Sequence, residues 1–285
     1  MSIDLHTHSS ASDGTDSPAA LVAAAAAAGL DVVALTDHDT TAGWSTAAEA
    51  RPAGLVVVPG MELSCRWFPA DEPPMSVHLL AYLFDPEHPG LAAERARLRT
   101  ERLTRGERIA TNLAGAGYPV VWGEIVERSG GGVVGRPHIA LALVEAGVVE
   151  SVDHAFATLL SHRSPHYVTK ADTDVLDGIR LVRAAGGVPV FAHGLATSRG
   201  RVVGDAAIRA MAEAGLLGLE VDHPDHTPEQ RAHLRELADE LGLIRTGSSD
   251  YHGTNKTTAI AACTTEPDQY AAIVTAGTGC APFAD

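Results

Sequence analysis

Histidine and carboxylate recur at short spacings through this sequence: His6 and His8, Asp37-His38-Asp39, Glu62, His78, His193, His223, and Asp250 with His252. Imidazole and carboxylate together are ligands of divalent ions such as Zn²⁺, Mn²⁺ and Fe²⁺, whereas thiolates favour softer sites. Metal binding is the chemistry such a set supports best. Nucleophile chemistry has less support. Ser248-Ser249 lies near Asp250 and His252, but no G-x-S-x-G turn exposes a serine. Cys65 lies near Glu62, and a lone cysteine is more often a small core residue. Gly130-Gly-Gly132 lacks the strand, helix and Lys-Ser/Thr of a phosphate loop and reads as a flexible turn.

Residues so scattered must be gathered by the elements between them. Ile3–His8, Asp31–Thr36, Leu55–Pro59 and Val77–Phe84 read as strands. Between them come an Ala-rich helix, opened by Ser17-Pro18 and closed by Gly29, and a second helix over Ser45–Arg51. This alternation implies a parallel sheet with crossover helices. The middle changes character. Gly90–Gly115 interleaves Arg and Glu at helical spacing, and helical patterns continue over Trp122–Ser129, Pro137–Glu145 and Val152–Leu160. Residues 86–170 therefore read as a helical insertion whose charges are most simply solvated faces. The rhythm then resumes with helices over Thr173–Ala185, Asp205–Ala214, Pro228–Leu241 and Asp268–Ala276, and strands over Val188–His193, Leu217–His223 and Leu243–Ser248. About seven strands with intervening helices fit a β/α barrel better than an open sheet. The barrel comprises residues 1–85 and 171–285.

The histidines and acids sit at the ends of these strands, and in a parallel β/α architecture those carboxyl ends share one face. His6 and His8, two apart on a strand, point to the same side of the sheet. A single histidine such as His223 is as readily an isolated polar residue satisfied by the backbone. The whole set is not, because burying so many titratable groups without a metal or mutual pairing is costly.

Composition sets the outer limits. The 285 residues, 45% hydrophobic and 20% charged, can bury a core. The net charge of −15 argues against extended double-stranded nucleic acid, which needs a basic footprint, but not against one phosphorylated end in a small positive pocket. Three cysteines without a CxxC pair point to a reducing compartment, and no signal peptide or membrane span is evident, so a cytoplasmic location is expected.

Five motifs in order carry a resemblance: Asp4-Leu-His-Thr-His-Ser9, Ser12-Asp-Gly14, Thr36-Asp-His-Asp39, Gly60-Met-Glu62 and Ser249-Asp-Tyr-His-Gly253. Together they resemble the PHP (polymerase and histidinol phosphatase) family and span essentially the whole barrel. Gly135-Arg-Pro-His-Ile-Ala140 further resembles the subgroup that hydrolyses nucleoside 3′,5′-bisphosphates and trims RNA 5′ ends. The resemblance implies a distorted (β/α)7 TIM-like barrel with two to three divalent ions, Mn²⁺, Zn²⁺ or Fe²⁺. By the same resemblance His6, His8, Glu62 and Asp250 hold the first ion, and Glu62 bridges to a second held with His78 and His193. Asp13, His38 and His252 hold a third, Asp13 standing where some relatives have histidine. Gly194 departs from the proline that commonly follows the histidine matching His193, which is expected to loosen the loop after it. The insertion must fold back over the barrel mouth if the Gly135–His138 match is meaningful.

Arg136 offers a planar fork suited to phosphate oxygens, and His138 a second phosphate donor or a proton donor to the leaving oxygen. Without the resemblance, a surface ion pair and a helix-start polar residue would serve as well. Lys170 and His223 are expected at the pocket rim. The expected function is a metal-dependent phosphoesterase acting on a phosphorylated nucleotide or short oligonucleotide end. The alternatives are a small-molecule phosphatase of the histidinol-phosphatase type and a non-catalytic metal-binding module. A C–N hydrolase of the metal class would need a bridging lysine at a strand end, and none is so placed. The sequence does not specify an oligomer.

Overall fold

The protein is described here by a computed structural model covering residues 1–129 and 134–285; the Gly130–Gly132 segment lies outside the described residues. Strands β1 (Ile3–Thr7), β2 (Val32–Leu35) and β3 (Val56–Trp67) alternate with helices α1 (Pro18–Ala27) and α2 (Trp44–Ala50). Strand β4 (Met75–Tyr82) follows, then helices α3 (Pro89–Gly115), α4 (Trp122–Arg128), α5 (Arg136–Glu145) and α6 (Val152–Ala157). After a two-residue strand β5 (Thr173–Asp174) come α7 (Val175–Ala184), β6 (Val188–Phe191), α8 (Asp205–Glu213), β7 (Gly218–Asp222), α9 (Pro228–Leu241), β8 (Ile244–Gly247) and α10 (Pro267–Ala276).

The main sheet runs β1-β2-β3-β4-β6-β7-β8, with β5 added beside β3. Its two edges approach each other: Thr7 bridges Tyr251 in parallel, and the His8 N–H donates to the Tyr251 carbonyl at 2.8 Å. The result is a nearly closed seven-stranded α/β barrel. Alternating side chains fill both faces, as the period-2 geometry of strands requires. Leu5, Ala34, Val58, Leu80 and Val190 pack in one buried cluster, while Val33, Leu35, Val57 and Leu219 pack in another with Leu21 of α1 and Ile179 of α7.

Three expectations are corrected here. The sheet is not wholly parallel, because β4 pairs antiparallel with both β3 and β6. Strand β3 also continues past Pro59, so Glu62 lies within it and not after it. The helix expected from Thr173 starts at Val175, because Asp174 caps it by accepting the Leu176 N–H.

Helices α3 to α6 bury an apolar cluster of their own, including Ile109, Leu113, Ile125, Ile139 and Leu143. The arginines of α3 are not all solvated: Arg95 and Arg105 are each only 7% exposed. Arg95 donates to Thr41 and the Pro86 carbonyl, and Arg105 to the Val168 carbonyl. No described helix is long and apolar enough to cross a membrane.

Candidate metal centre

The strand ends deliver their polar residues to one point. His6 and His8 come from the end of β1, His38 from the loop after β2 and Glu62 from β3. His193 follows β6, and Asp250 and His252 follow β8. His78 joins them for the opposite reason. In the antiparallel β4 it lies in the first half of the strand, opposite Ser64 of β3, at the sheet end where the parallel strands finish. Asp39, His193 and Asp250 take positive φ values of 55°, 34° and 53°. Non-glycine residues pay for that conformation, and here it turns the chain at three points around the site.

Glu62 is the hub. It is 1% exposed, and its Oε1 lies 2.7 Å from His78 Nδ1 and 2.9 Å from His193 Nε2. Its Oε2 lies 3.3 Å from His6 Nε2, 3.1 Å from His8 Nε2 and 3.3 Å from His38 Nδ1. Asp250 Oδ1 stands 3.5 Å from both His6 Nε2 and His8 Nε2, which are themselves 3.0 Å apart. Asp13 brings Oδ1 to 3.4 Å from His252 Nε2 and Oδ2 to 3.7 Å from His38 Nε2. All nine residues expected to ligate metal thus meet in one cluster. Three sets have ligand atoms close enough to share an ion: His8, Asp13, His38 and His252; His6, His8 and Asp250; and His38, Glu62 and His78.

The donors fit divalent ions. His38 Nδ1 and His78 Nδ1 are buried and make no hydrogen bond, although each faces a Glu62 oxygen within 3.3 Å. Nitrogen and carboxylate lone pairs that converge without a shared proton are arranged as ligands of a common cation. The electrostatics agree. Burial pushes Glu62 up, but His78, His38 and His6 outweigh it and hold its carboxyl well below the usual range. Burial likewise raises Asp250, and Lys256, His6 and Arg199 overcome it. Burial lowers His38 to about 3, so its imidazole is neutral and able to ligate.

The expected phosphate-side residues are more dispersed. Arg136 starts α5, where its guanidinium lies over Phe156 at 5.0 Å and Tyr167 at 5.8 Å, and Nη1 donates to the Leu160 carbonyl. His138 Nδ1 accepts the Gly135 N–H at 3.2 Å, and burial lowers its pKa. Lys170 is not on an open rim: it pairs with Asp172 at 3.1 Å in a small pocket also lined by Asp39, Arg102 and Arg105. His223 is not on a rim either. It is 1% exposed, with its unpartnered Nε2 3.5 Å from Asp250 Oδ2. Nor does Gly194 leave the next loop loose, because the Leu195 N–H donates to His226 Nε2 and the Ala196 N–H to the His193 carbonyl.

Several residues around the cluster escaped the sequence reading. Arg102 donates to Asp39 Oδ2 and Ser64 Oγ, both at 2.7 Å. Arg199 and Lys256 each donate to Asp250 Oδ2 at 2.6 Å, leaving Oδ1 to the histidines. Glu220 accepts from His6 Nδ1. Charge inside an apolar strand was the available signal for Glu220; Arg102 had none among the many arginines of α3. Cys65 is wholly buried, which pushes its thiol well up and leaves it inert as a nucleophile.

A β/α barrel with a buried His/Asp/Glu cluster at its strand ends defines a metal-dependent hydrolase architecture, and comparison makes the class specific. Residues 4–104 match the PHP domain. The chain is 32% identical over 257 residues to a 3′,5′-nucleoside bisphosphate phosphatase of Chromobacterium violaceum, covering 88% of this chain and 87% of the relative. It is 33% identical over 251 residues to a 5′-3′ exoribonuclease of Haemophilus influenzae, covering 87% and 89%. It is also 33% identical over 268 residues to a phosphoribosyl 1,2-cyclic phosphate 1,2-diphosphodiesterase of Eggerthella lenta, covering 88% and 94%. A candidate metal-dependent phosphoesterase of Bifidobacterium adolescentis superposes with a TM-score of 0.89 at 37% identity, covering 97% and 96%. This chain belongs to the PHP-domain family.

Proposed function

We propose that this protein is a metal-dependent phosphoesterase that hydrolyses phosphate esters of nucleotides, with nucleoside 3′,5′-bisphosphates or the 5′ ends of short RNAs as substrates. The observation that carries this reading is the nine-residue His/Asp/Glu cluster gathered at the strand ends of the barrel, a donor set suited to several divalent ions. Beside His38 of the cluster lies a small pocket in which Arg102, Arg105 and Lys170 are balanced by Asp39, Glu101 and Asp172.

His6, His8, Glu62 and Asp250 would hold one ion, Glu62 with His78 and His193 a second, and Asp13, His38 and His252 a third. Mn²⁺, Zn²⁺ and Fe²⁺ all suit these ligands, and two or three such ions would acidify water and neutralise phosphoryl oxygens. The chain's own groups do the rest. Arg199 and Lys256 occupy Asp250 Oδ2, so this carboxylate keeps one oxygen toward the cluster. Arg136, its guanidinium lying over the Phe156 and Tyr167 rings, presents a planar fork. His138 accepts at Nδ1, which leaves its proton on Nε2, available to the leaving oxygen.

Residues 86–170 form, in this reading, an insertion that covers the mouth of a barrel made of residues 1–85 and 171–285. The separate apolar cluster of α3–α6 supports this division, as does Arg102 of α3 reaching down to Asp39. Three unpaired cysteines fit a cytoplasmic setting.

The test is a phosphate-release screen of metal-loaded protein against nucleoside 3′,5′-bisphosphates, nucleoside monophosphates, histidinol phosphate and short 5′-phosphorylated RNAs. Turnover of the bisphosphates or RNA ends is expected. Turnover of histidinol phosphate alone would replace this reading with a small-molecule phosphatase, and no turnover at full metal loading would leave a binding module.

A further inference from the structure

Glu220 has no role in the scheme above, yet it is a buried carboxylate held by three hydrogen bonds beside the cluster. It lies on β7 and is 1% exposed. Its Oε1 accepts from His6 Nδ1 at 2.9 Å and from the Ser248 hydroxyl. Its Oε2 accepts the backbone N–H of His193 at 2.6 Å. One side chain thereby connects β7 to β1, to the residue after β8, and to the turn after β6.

The two ends of the His6 ring are used differently. Nδ1 faces Glu220, whereas Nε2 faces His8 Nε2 at 3.0 Å, Glu62 Oε2 at 3.3 Å and Asp250 Oδ1 at 3.5 Å. An imidazole that donates Nδ1–H to a carboxylate has its Nε2 lone pair free and its ring angle fixed. His193 is held by a different contact to the same group. Its φ of 34° is unfavourable for a non-glycine residue, and the N–H bond to Glu220 opposes relaxation of that turn. In that conformation His193 Nε2 lies 2.9 Å from Glu62 Oε1.

We propose that Glu220 is the positioning residue of the metal centre, fixing His6 as its Nδ1–H tautomer and the His193 turn in place so that both rings present Nε2 toward Glu62. The inference rests on the reading of this cluster as a metal centre. Both oxygens of Glu220 act only as acceptors here, so Glu220→Gln keeps the shape but must lose acceptance at one side. Either His6 and Ser248 or the His193 N–H then faces an amide donor.

The experiment combines two readouts, neither of them activity. The first is ¹⁵N NMR of histidine-labelled, zinc-loaded wild-type protein, with His6 assigned by its loss in His6→Gln. The expected spectrum has a proton on His6 Nδ1 and metal on Nε2. The second is a zinc titration against a competing chelator for wild type and Glu220→Gln. The ions assigned to His6 and His193 are expected to bind roughly 10- to 100-fold more weakly in the variant, the range typical of lost outer partners, with the third ion unaffected. A proton on Nε2, or zinc on Nδ1, overturns the proposal, as do identical isotherms for a folded variant. If Glu220→Gln does not fold, the wild-type spectrum decides alone. Wild-type protein that takes up no divalent ion overturns the metal-centre reading and this inference with it, whereas normal uptake with an unchanged variant overturns only the inference.

Discussion

The ring of Phe191 fills the space that a side chain at residue 194 would need: a Cβ on Gly194 would stand 2.3 Å from the Phe191 Cε1. Phe191 ends β6 and is 2% exposed, so the ring cannot swing into solvent to make room. Between the two lies His193, whose Nε2 meets Glu62. The large residue before the histidine and the absent side chain after it are one packing solution. They account for the missing proline without any loss of order in the loop.

Gly194→Ala is therefore expected to destabilise the fold by about 1–3 kcal/mol through overpacking. Phe191→Leu alone leaves a cavity and also costs stability. Combined, the two should lose less than the sum of the single changes by at least about 0.5 kcal/mol, as contacting residues do. Urea denaturation of the four proteins measures this directly. Strict additivity would show that the ring and residue 194 do not compete for the same space.

Metal loading and pH should be linked through the same cluster. Burial lowers the His8 pKa, but the Asp250 and Glu62 carboxylates against it prevail and lift it from 6.5 to about 9 in the metal-free protein. That raised value stabilises the metal-free fold fully below pH 6.5, and the contribution fades as pH rises toward about 9. A cation replaces the proton, so ion binding at pH 7.5 should release protons and tighten with pH across that window. Calorimetry in two buffers of different ionisation enthalpy reads the release; equal apparent enthalpies would refute it. Glu62→Gln should lower the bound ions by at least one per chain, because Glu62 touches five imidazoles. Elemental analysis that found full occupancy in this variant would remove its bridging role.

The barrel was legible because its strands end in residues that no apolar core accommodates unpaired. His6, His38, His193 and Asp250 marked strand ends without reference to any contact. The direction of β4 was not legible, since an alternation such as Ser76, His78 and Leu80 reads the same forwards and backwards. Nor was the length of β3, because Pro59-Gly60 resembles a stop. The strand continues there because Gly60 admits the Thr36 methyl and the Tyr82 ring, which a Cβ would meet at 2.8 and 3.2 Å. Arg102 and Arg105 looked like members of a solvated helix face. Only tertiary structure shows that α3 turns these arginines toward Asp39 and the Val168 carbonyl.

Arg136 provides a kinetic handle. Its guanidinium is stacked over Phe156 and Tyr167 and keeps donors beyond the one given to Leu160. Loss of a charged, bidentate phosphate contact costs ~2–4 kcal/mol, so Arg136→Ala should lower kcat/KM by ~30- to 1000-fold. Arg136→Lys should not restore it, since a point charge supplies neither the fork nor the planar stack. A folded Arg136→Ala protein with wild-type kcat/KM on every good substrate would exclude the phosphate role.

The form of the substrate follows from charge and topology together. A net charge of −15 repels a long polyanion, so affinity should not climb with each added nucleotide as it does along a basic groove. Arg102, Arg105 and Lys170 do not offset this, because the small pocket they line is also lined by Asp39, Glu101 and Asp172. In the proposed reading the cluster's ions would hold the scissile phosphate and Arg136 its neighbour, which fits two phosphates flanking one nucleoside. An insertion that covers the mouth, as proposed, would let the strand enter by its end and not through its middle. Linear 5′-phosphorylated RNA should therefore yield mononucleotides from the 5′ end, and a circular RNA of the same sequence should survive. Internal fragments from the circle would mean that the site is an open channel, and that the insertion does not close it.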